Sequence, residues 1–184
     1  MGIITKKSFT LIELVVSVGI IGLILPSIFN IFFTIIRQQL VLVAYQEVKR
    51  QGDSAQNNIK NILQNRAAYI TDSTYIAADV CPYLPNPTPT YSPDLYVRDR
   101  NGNVMHYYQA IVSGVDTIAS ASGNVAKVYN LTSTDVKIAG LEFSCYSINS
   151  FTPAIISTRF IVQKSTVFKE ISLPYFFSVK LRSY

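Results

Sequence analysis

The side chains that most often carry out chemistry in proteins are few in this chain of 184 residues. The one histidine, His106, lies in an alternating stretch that is typical of a β-strand. A hydrolytic triad would have to use His106, but the sequence contains no G-x-S-x-G elbow. Zinc-ligand spacing, a phosphate-binding loop and a paired-acid pattern are also missing from the sequence. The sequence therefore predicts a protein without catalytic residues, bound metal or other cofactors.

The two cysteines, Cys81 and Cys145, stand far apart in the sequence. In an oxidising compartment two thiols of one domain are often paired, whereas in the cytosol they are more often reduced core residues. A bridge requires Cα atoms about 5.5 Å apart, which sequence does not establish. A disulfide between Cys81 and Cys145 is therefore one of two open alternatives.

Glu13 is the only formal charge in the apolar run from Phe9 to Ile36. A carboxylate inside such a run is unfavourable in a membrane and by default indicates a function. Thr10 and Glu13 also fit a capping box, in which a hydroxyl and a carboxylate bind the free N–H groups of a helix's first turn. This pattern alone does not separate a helix cap from a functional acid.

The apolar run is long enough to cross a membrane, because about 20 helical residues span a hydrocarbon core of about 30 Å. Lys6 and Lys7 precede it and predict a cytoplasmic N-terminus and an extracytoplasmic C-terminal part. A secretory signal peptide has a shorter apolar stretch, of about 7–15 residues, and then a small-residue cleavage site. A plain signal anchor stays open as an alternative.

The residues around Glu13 form a more specific pattern. The string KKSFTLIELVV, residues 6–16, resembles the prepilin cleavage and methylation motif of type IV pilins and type II secretion pseudopilins. The match combines a basic leader, a small residue, Phe, a TLIE core and a long apolar helix. It implies a pilin fold, in which a long N-terminal helix packs on an antiparallel β-sheet head.

The resemblance also implies how the N-terminus is processed and used. Residues 1–8 would be a leader, and a membrane-embedded prepilin peptidase would cut between Ser8 and Phe9 and methylate the new Phe9 amine. The family usually has Gly where this chain has Ser8. Glu13 would promote assembly by pairing with the amine of another pilin or pseudopilin subunit, because opposite charges attract strongly where water is scarce. An inner-membrane assembly platform, and membrane lipid before assembly, are the other implied partners.

The pattern changes after Arg37 from uniformly apolar to amphipathic. Apolar or small residues recur there with steps of four and three, at Val41, Tyr45, Val48, Gly52, Ala55, Ile59 and Ile62. The glycine and alanine in this stripe favour a helix lying close against a sheet over a coiled coil. We expect one helix from about Thr10 to Ala68, membrane-spanning over 9–36 and amphipathic over 37–70. Pro26 should kink it or unwind it locally.

From residue 71 onward the composition favours strands, and 71–184 is expected to form an extracytoplasmic β-rich head. Five prolines between Cys81 and Pro93 indicate a loop. Asn101-Gly102 predicts a hairpin between Leu95–Arg98 and Val104–Tyr108. Further strands are expected near Val125–Asn130, Val136–Ile138, Leu141–Tyr146, Ile155–Gln163 and Tyr175–Lys180. The fold class is α+β with an antiparallel sheet.

Two segments of the head, 131–143 and 177–182, are similar to the J-type minor pseudopilins and their minor pilin relatives. This similarity implies a minor subunit near the tip or in initiation. The alternative is a monomeric signal-anchored protein whose head binds a surface ligand. Motility, adhesion, secretion and DNA-uptake machines use subunits that are alike at this level. The formal charge of +5 is mostly scattered, so nucleic-acid binding is a minor expectation.

Overall fold

The computed structural model describes residues 10–74, 81, 91–123, 125–148 and 152–181, without the side chains of 125 and 126. The chain divides into two compact units, Met1–Leu42 (unit 1) and Val43–Tyr184 (unit 2). One long helix and antiparallel sheets make up the described residues, so the expected α+β class is confirmed.

The helix, α1, runs from Leu11 to Asn65. Its first half consists mainly of Leu, Ile, Val and Phe. In apolar surroundings there is no water to bind the backbone N–H and C=O groups, so these groups must bond to one another within the helix. Pro26 lies inside α1, which is continuous through it, so of the two predicted effects local unwinding is not observed and a kink stays a prediction. The expected continuation to Ala68 is also wrong, because a strand begins at Ala67.

Eight strands follow the helix and form two antiparallel sheets, with the order β1-β2-β3-β4-β5 and β6-β7-β8. Their bounds are Ala67–Thr71 (β1), Leu95–Asp99 (β2), Val104–Val112 (β3), Val115–Ser122 (β4), Val125–Asn130 (β5), Lys137–Tyr146 (β6), Ile155–Ser165 (β7) and Glu170–Lys180 (β8). The sequence predicted one sheet and did not predict β1 or β4. The strands near Val125, Ile155 and Tyr175 and the Asn101-Gly102 hairpin are confirmed.

Two glycines explain where the strand prediction went wrong. Gly140 has a positive φ of 61° at a register shift within β6, so the two strands expected on either side of it are one bulged strand. Ser113 and Gly114 both have positive φ and connect β3 to β4 in a two-residue hairpin loop. The sequence analysis overlooked this Ser-Gly pair and with it the whole of β4.

The part of α1 within unit 2 packs on the sheets through the small residues of its stripe. Its buried positions are Ala44, Val48, Gln51, Gly52, Ala55, Ile59 and Leu63. Four of the seven predicted positions are therefore buried, while Tyr45 is exposed and Ile62 only half-buried. A Cβ placed on Gly52 would overlap the ring of Tyr175 on β8, so the glycine is what permits the close approach.

Candidate assembly and membrane-insertion site

Glu13 caps the first turn of α1 together with Thr10. Its Oε2 accepts hydrogen bonds at 3.0 Å from both the backbone N–H and the hydroxyl of Thr10. The Glu13 N–H donates in return to the Thr10 hydroxyl over 3.4 Å. The predicted capping box is thus confirmed. Among the described residues no donor is bound to the second carboxylate oxygen, Oε1, and the Glu13 side chain lies at the surface.

The described apolar side chains of unit 1 cover the outside of the helix and are not buried by the rest of the chain. All described residues from Thr10 to Leu40 are exposed, and Leu11 has 83% of its surface accessible. In the described part of the chain, α1 is the one helix long and apolar enough to cross a membrane. A surface of this kind requires a bilayer or other apolar helices around it.

The polar residues inside the apolar run bond to the helix itself. The hydroxyl of Ser17 donates to the carbonyl of Glu13 over 2.7 Å, and that of Thr34 to the carbonyl of Asn30 over 2.8 Å. Ser27 makes a longer contact of the same kind. Hydroxyl groups bonded in this way are compatible with apolar surroundings, because their hydrogens need no water.

The predicted cleavage and methylation residues, Ser8 and Phe9, lie outside the described residues. Of the other residues predicted to matter, Glu13 and Pro26 are both in unit 1, at the first turn and in the middle of the apolar run. Cys81 and Cys145 are in unit 2.

Cys81 and Cys145 form a disulfide bridge with Cα atoms 5.4 Å apart. Of the two alternatives left open by the sequence, the structure has the bridged one. Further along the same connection, Ser92 and Phe143 exchange two backbone hydrogen bonds of 2.8 Å. The guanidinium of Arg159 lies 4.0 Å from the ring centroid of Tyr91. The connection between β1 and β2 is therefore attached to the three-stranded sheet at several points.

Tyr175 joins β8 to the helix. Its hydroxyl lies 3.1 Å from both the carbonyl oxygen of Lys49 and Oδ1 of Asp53, and its ring stacks on Phe160. Burial, and then the neighbouring Asp53 carboxylate, raise the pKa of Tyr175 to about 12. The neutral, hydrogen-bonding form of the phenol is therefore the stable one.

His106 stands between two tyrosine rings on one face of the five-stranded sheet. Its ring stacks on Tyr96 at 4.1 Å and on Tyr108 at 4.4 Å between centroids, and Nε2 lies 2.8 Å from Oδ1 of Asp94. The aromatic faces and the carboxylate hold the imidazole in one orientation. Among the described residues no group of three potential metal ligands occurs.

A cleft of about 420 Å³ lies between the C-terminal end of α1 and the five-stranded sheet. Its polar lining includes Arg66, Asp99, Lys127 and Tyr129. Burial raises the pKa of Asp99, but hydrogen bonds to its carboxylate from the Asn103 side chain and from the backbone of Asn103 and Asn101 together outweigh burial, so the pKa is lowered. The sequence analysis missed this cleft, because its residues come from five separate segments of the chain.

No protein-family model, curated protein or solved structure matches this chain.

Proposed function

We propose that this protein is a structural subunit, of the minor pilin or pseudopilin kind, in a type IV pilus-like or type II secretion filament. The prepilin peptidase would remove residues 1–8 and methylate Phe9. Before assembly the processed chain would reside in the cytoplasmic membrane as a single-pass protein with an extracytoplasmic head. It would then enter a filament through unit 1 and the inner-membrane assembly platform.

The observation that carries this proposal is the surface of α1 in unit 1. An exposed apolar helix with one carboxylate at its first turn is unstable in water and suits both a bilayer and a bundle of identical helices. The local string KKSFTLIE supports the bundle of identical helices, because it resembles a signal for processing and polymerisation. The Cys81–Cys145 bridge supports an extracytoplasmic head, since disulfides persist in oxidising compartments.

The charge on Glu13 gives a mechanism for selecting one axial register. After cleavage the chain would begin with a positively charged amine at Phe9. In a bundle of apolar helices the amine of one subunit would pair with Glu13 of another, whereas an unpaired charge would cost several kcal/mol. Subunits would therefore add in the one register that brings the amine to the carboxylate.

The experiment compares three variants in cells that produce the filament, and measures membrane insertion and incorporation into sheared filaments separately. Glu13→Ala and Glu13→Gln should insert as the wild type does but lose incorporation by at least about a hundredfold, the ratio expected for roughly 3 kcal/mol or more. Thr10→Ala is the matched control, because it removes a capping partner of Glu13 and keeps the charge. It should incorporate normally.

Glu13→Gln is the decisive variant, because glutamine also serves in a capping box but carries no charge. Wild-type incorporation of Glu13→Gln would refute the pairing mechanism. Absence of the wild-type chain itself from sheared filaments would favour a monomeric signal-anchored protein. Intact-mass analysis of assembled subunits supplies the second readout, and should find a mature N-terminus at methylated Phe9.

A further inference from the structure

Asn30 is the exception to the bonding of polar residues within the apolar run. The hydroxyls of Ser17, Ser27 and Thr34 each donate to the carbonyl group four residues earlier in α1. The Asn30 side chain, by contrast, is exposed and makes no hydrogen bond with any described residue. A primary amide has two N–H donors and a carbonyl acceptor. Asn30 therefore keeps its full capacity for hydrogen bonds with a group outside its own helix.

In the membrane-spanning orientation proposed above, the Asn30 amide lies inside the hydrocarbon layer. Arg37, the first charge after the apolar run, is seven residues further along α1, which corresponds to about 10 Å along the helix axis. With Arg37 at the boundary of a layer about 30 Å thick, Asn30 is well within that layer. Lysine and arginine can reach the interface from such a depth through their long side chains, but asparagine has only one methylene group. The amide therefore requires a polar partner at its own depth.

The chemistry of the amide selects a second copy of this chain as that partner. Lipid tails offer no hydrogen bond and water is excluded from the hydrocarbon layer, so the partner must be protein. Every copy inserts with the same orientation, because Lys6 and Lys7 favour a cytoplasmic N-terminus. Asn30 of one copy is therefore at the same depth as Asn30 of another. The two amides are complementary, since each can donate an N–H to the carbonyl oxygen of the other.

The residues near Asn30 on the same face of α1 leave room for a second helix. At 3.6 residues per turn, Gly19 and Gly22 lie within about 80° of Asn30 around the helix axis. A Cβ built on either glycine would have nothing within 4 Å, so the described chain does not fill the space beside them. Small residues of this kind allow helix backbones to approach closely in a membrane. The face thus combines one unbonded amide with space for a close contact.

We infer that two copies of this chain pair in the bilayer before assembly, through reciprocal hydrogen bonds between their Asn30 side chains. This contact joins the same residue of each copy and needs no axial shift. Pairing of the Phe9 amine with Glu13 of another subunit joins positions four residues apart, and so needs a shift of about 6 Å. The Asn30 pair would therefore open when a subunit enters the filament. The inference rests on the membrane-spanning role proposed for α1.

Sedimentation equilibrium of the purified full chain in a density-matched non-ionic detergent measures the dimerisation. Asn30→Leu removes the amide and keeps a helix-forming residue, and should lower the association constant by roughly five- to thirtyfold, the effect of a polar side-chain pair between membrane helices. Asn30→Gln keeps an amide and should dimerise more strongly than Asn30→Leu. Thr34→Val is the matched control, because the Thr34 hydroxyl is already bonded to its own helix one turn from Asn30. It should leave the association constant unchanged.

A wild-type chain that stays monomeric at every protein-to-detergent ratio would overturn the inference. A dimer that Asn30→Leu leaves unchanged would also overturn it, because other contacts would then hold the two copies together. Equal weakening by Asn30→Leu and Thr34→Val would have the same consequence, since general helix packing rather than the amide would be responsible. Near-ultraviolet circular dichroism of each variant checks that the head is folded in every comparison.

A Trp in the apolar run, Ile24→Trp, separates failure of this inference from failure of the proposed function. The chain contains no tryptophan, so the introduced ring reports on one position. Its quenching by aqueous iodide is measured in phosphatidylcholine–phosphatidylglycerol vesicles. If Ile24→Trp is shielded and Asn30→Leu dimerises as the wild type does, α1 spans the bilayer and the Asn30 inference alone is wrong. If Ile24→Trp is accessible to iodide, the membrane anchor is wrong and the Asn30 inference fails with it.

Discussion

Gly52→Ala should destabilise unit 2 even though alanine is the better helix former. In an isolated helix the change would stabilise by about 0.8–1.0 kcal/mol. In this protein the new methyl group would occupy the position of the Tyr175 ring, and overpacking of this kind costs about 1–3 kcal/mol. Displacing the ring would also weaken its hydroxyl contacts with Lys49 and Asp53, worth about another 1 kcal/mol. The net expected loss is about 2 kcal/mol.

The assay is thermal unfolding of the purified full chain in mild detergent, followed by the tyrosine near-ultraviolet circular dichroism of the head. For a unit of this size, about 2 kcal/mol corresponds to a decrease in Tm of roughly 4–8 °C. Ser54→Ala is the matched control, because Ser54 lies two residues further along α1 on its exposed side. It should leave Tm unchanged or raise it slightly.

A double-mutant cycle isolates the cause. With Tyr175→Ala the ring is absent, so Gly52→Ala should keep only its helix-propensity gain and stabilise by up to about 1 kcal/mol. The sign of the Gly52→Ala effect should therefore reverse between the two backgrounds. An equal loss in both would refute the argument from ring overlap, and a gain in the wild-type background would show that Tyr175 moves aside at little cost.

Two further predictions concern the disulfide and one carboxylate of the head. Replacing Cys81 and Cys145 by serine should lower the free energy of unfolding, measured by thermal unfolding, by about 4 kcal/mol, which is the loop-closure value for a 64-residue separation. If reduction changes neither the electrophoretic mobility nor the thiol labelling of the wild type, the bridge is contradicted. Asp99→Ala should cost about 1–3 kcal/mol at neutral pH, because the carboxylate accepts bonds from Asn101 and Asn103. Since the folded pKa of Asp99 lies below its ordinary 3.8, this stabilisation is present above that value and lost as the pH falls through the folded pKa. Acid unfolding curves should accordingly be shallower for Asp99→Ala, and identical slopes would contradict the assignment.

The sequence predicted the elements whose signals are local. Asn101-Gly102 requires only its own turn geometry, and the apolar run from Leu11 requires only its composition. The helix end was missed because Ala67 and Ala68 continue a good helical pattern. The structure instead begins β1 there, where Ile70 and Thr71 pair with β2, and a long-range pairing of this kind leaves no local signal.

In the candidate site, too, contacts within one helical turn were predictable from the sequence and long-range contacts were not. The Thr10–Glu13 cap was predictable, because both partners lie within one helical turn. The contact of Gly52 with Tyr175 was predictable only in kind: a small residue in the stripe indicated a close approach, but not to which strand.

The geometry of Glu13 allows one carboxylate both to cap the helix and to pair with another subunit during assembly. A carboxylate has two oxygens, and in the described structure both bonds from Thr10 reach Oε2, which leaves Oε1 available at the surface. A cap that uses one oxygen holds the other in a fixed direction, so a neighbouring amine would meet an oriented partner rather than a freely rotating one. The cap would then serve assembly by lowering the entropy lost on pairing. On this reasoning Thr10→Ala should leave incorporation near the wild-type level but make the assembled filament dissociate sooner on heating, whereas Glu13→Gln should lower incorporation by at least about a hundredfold.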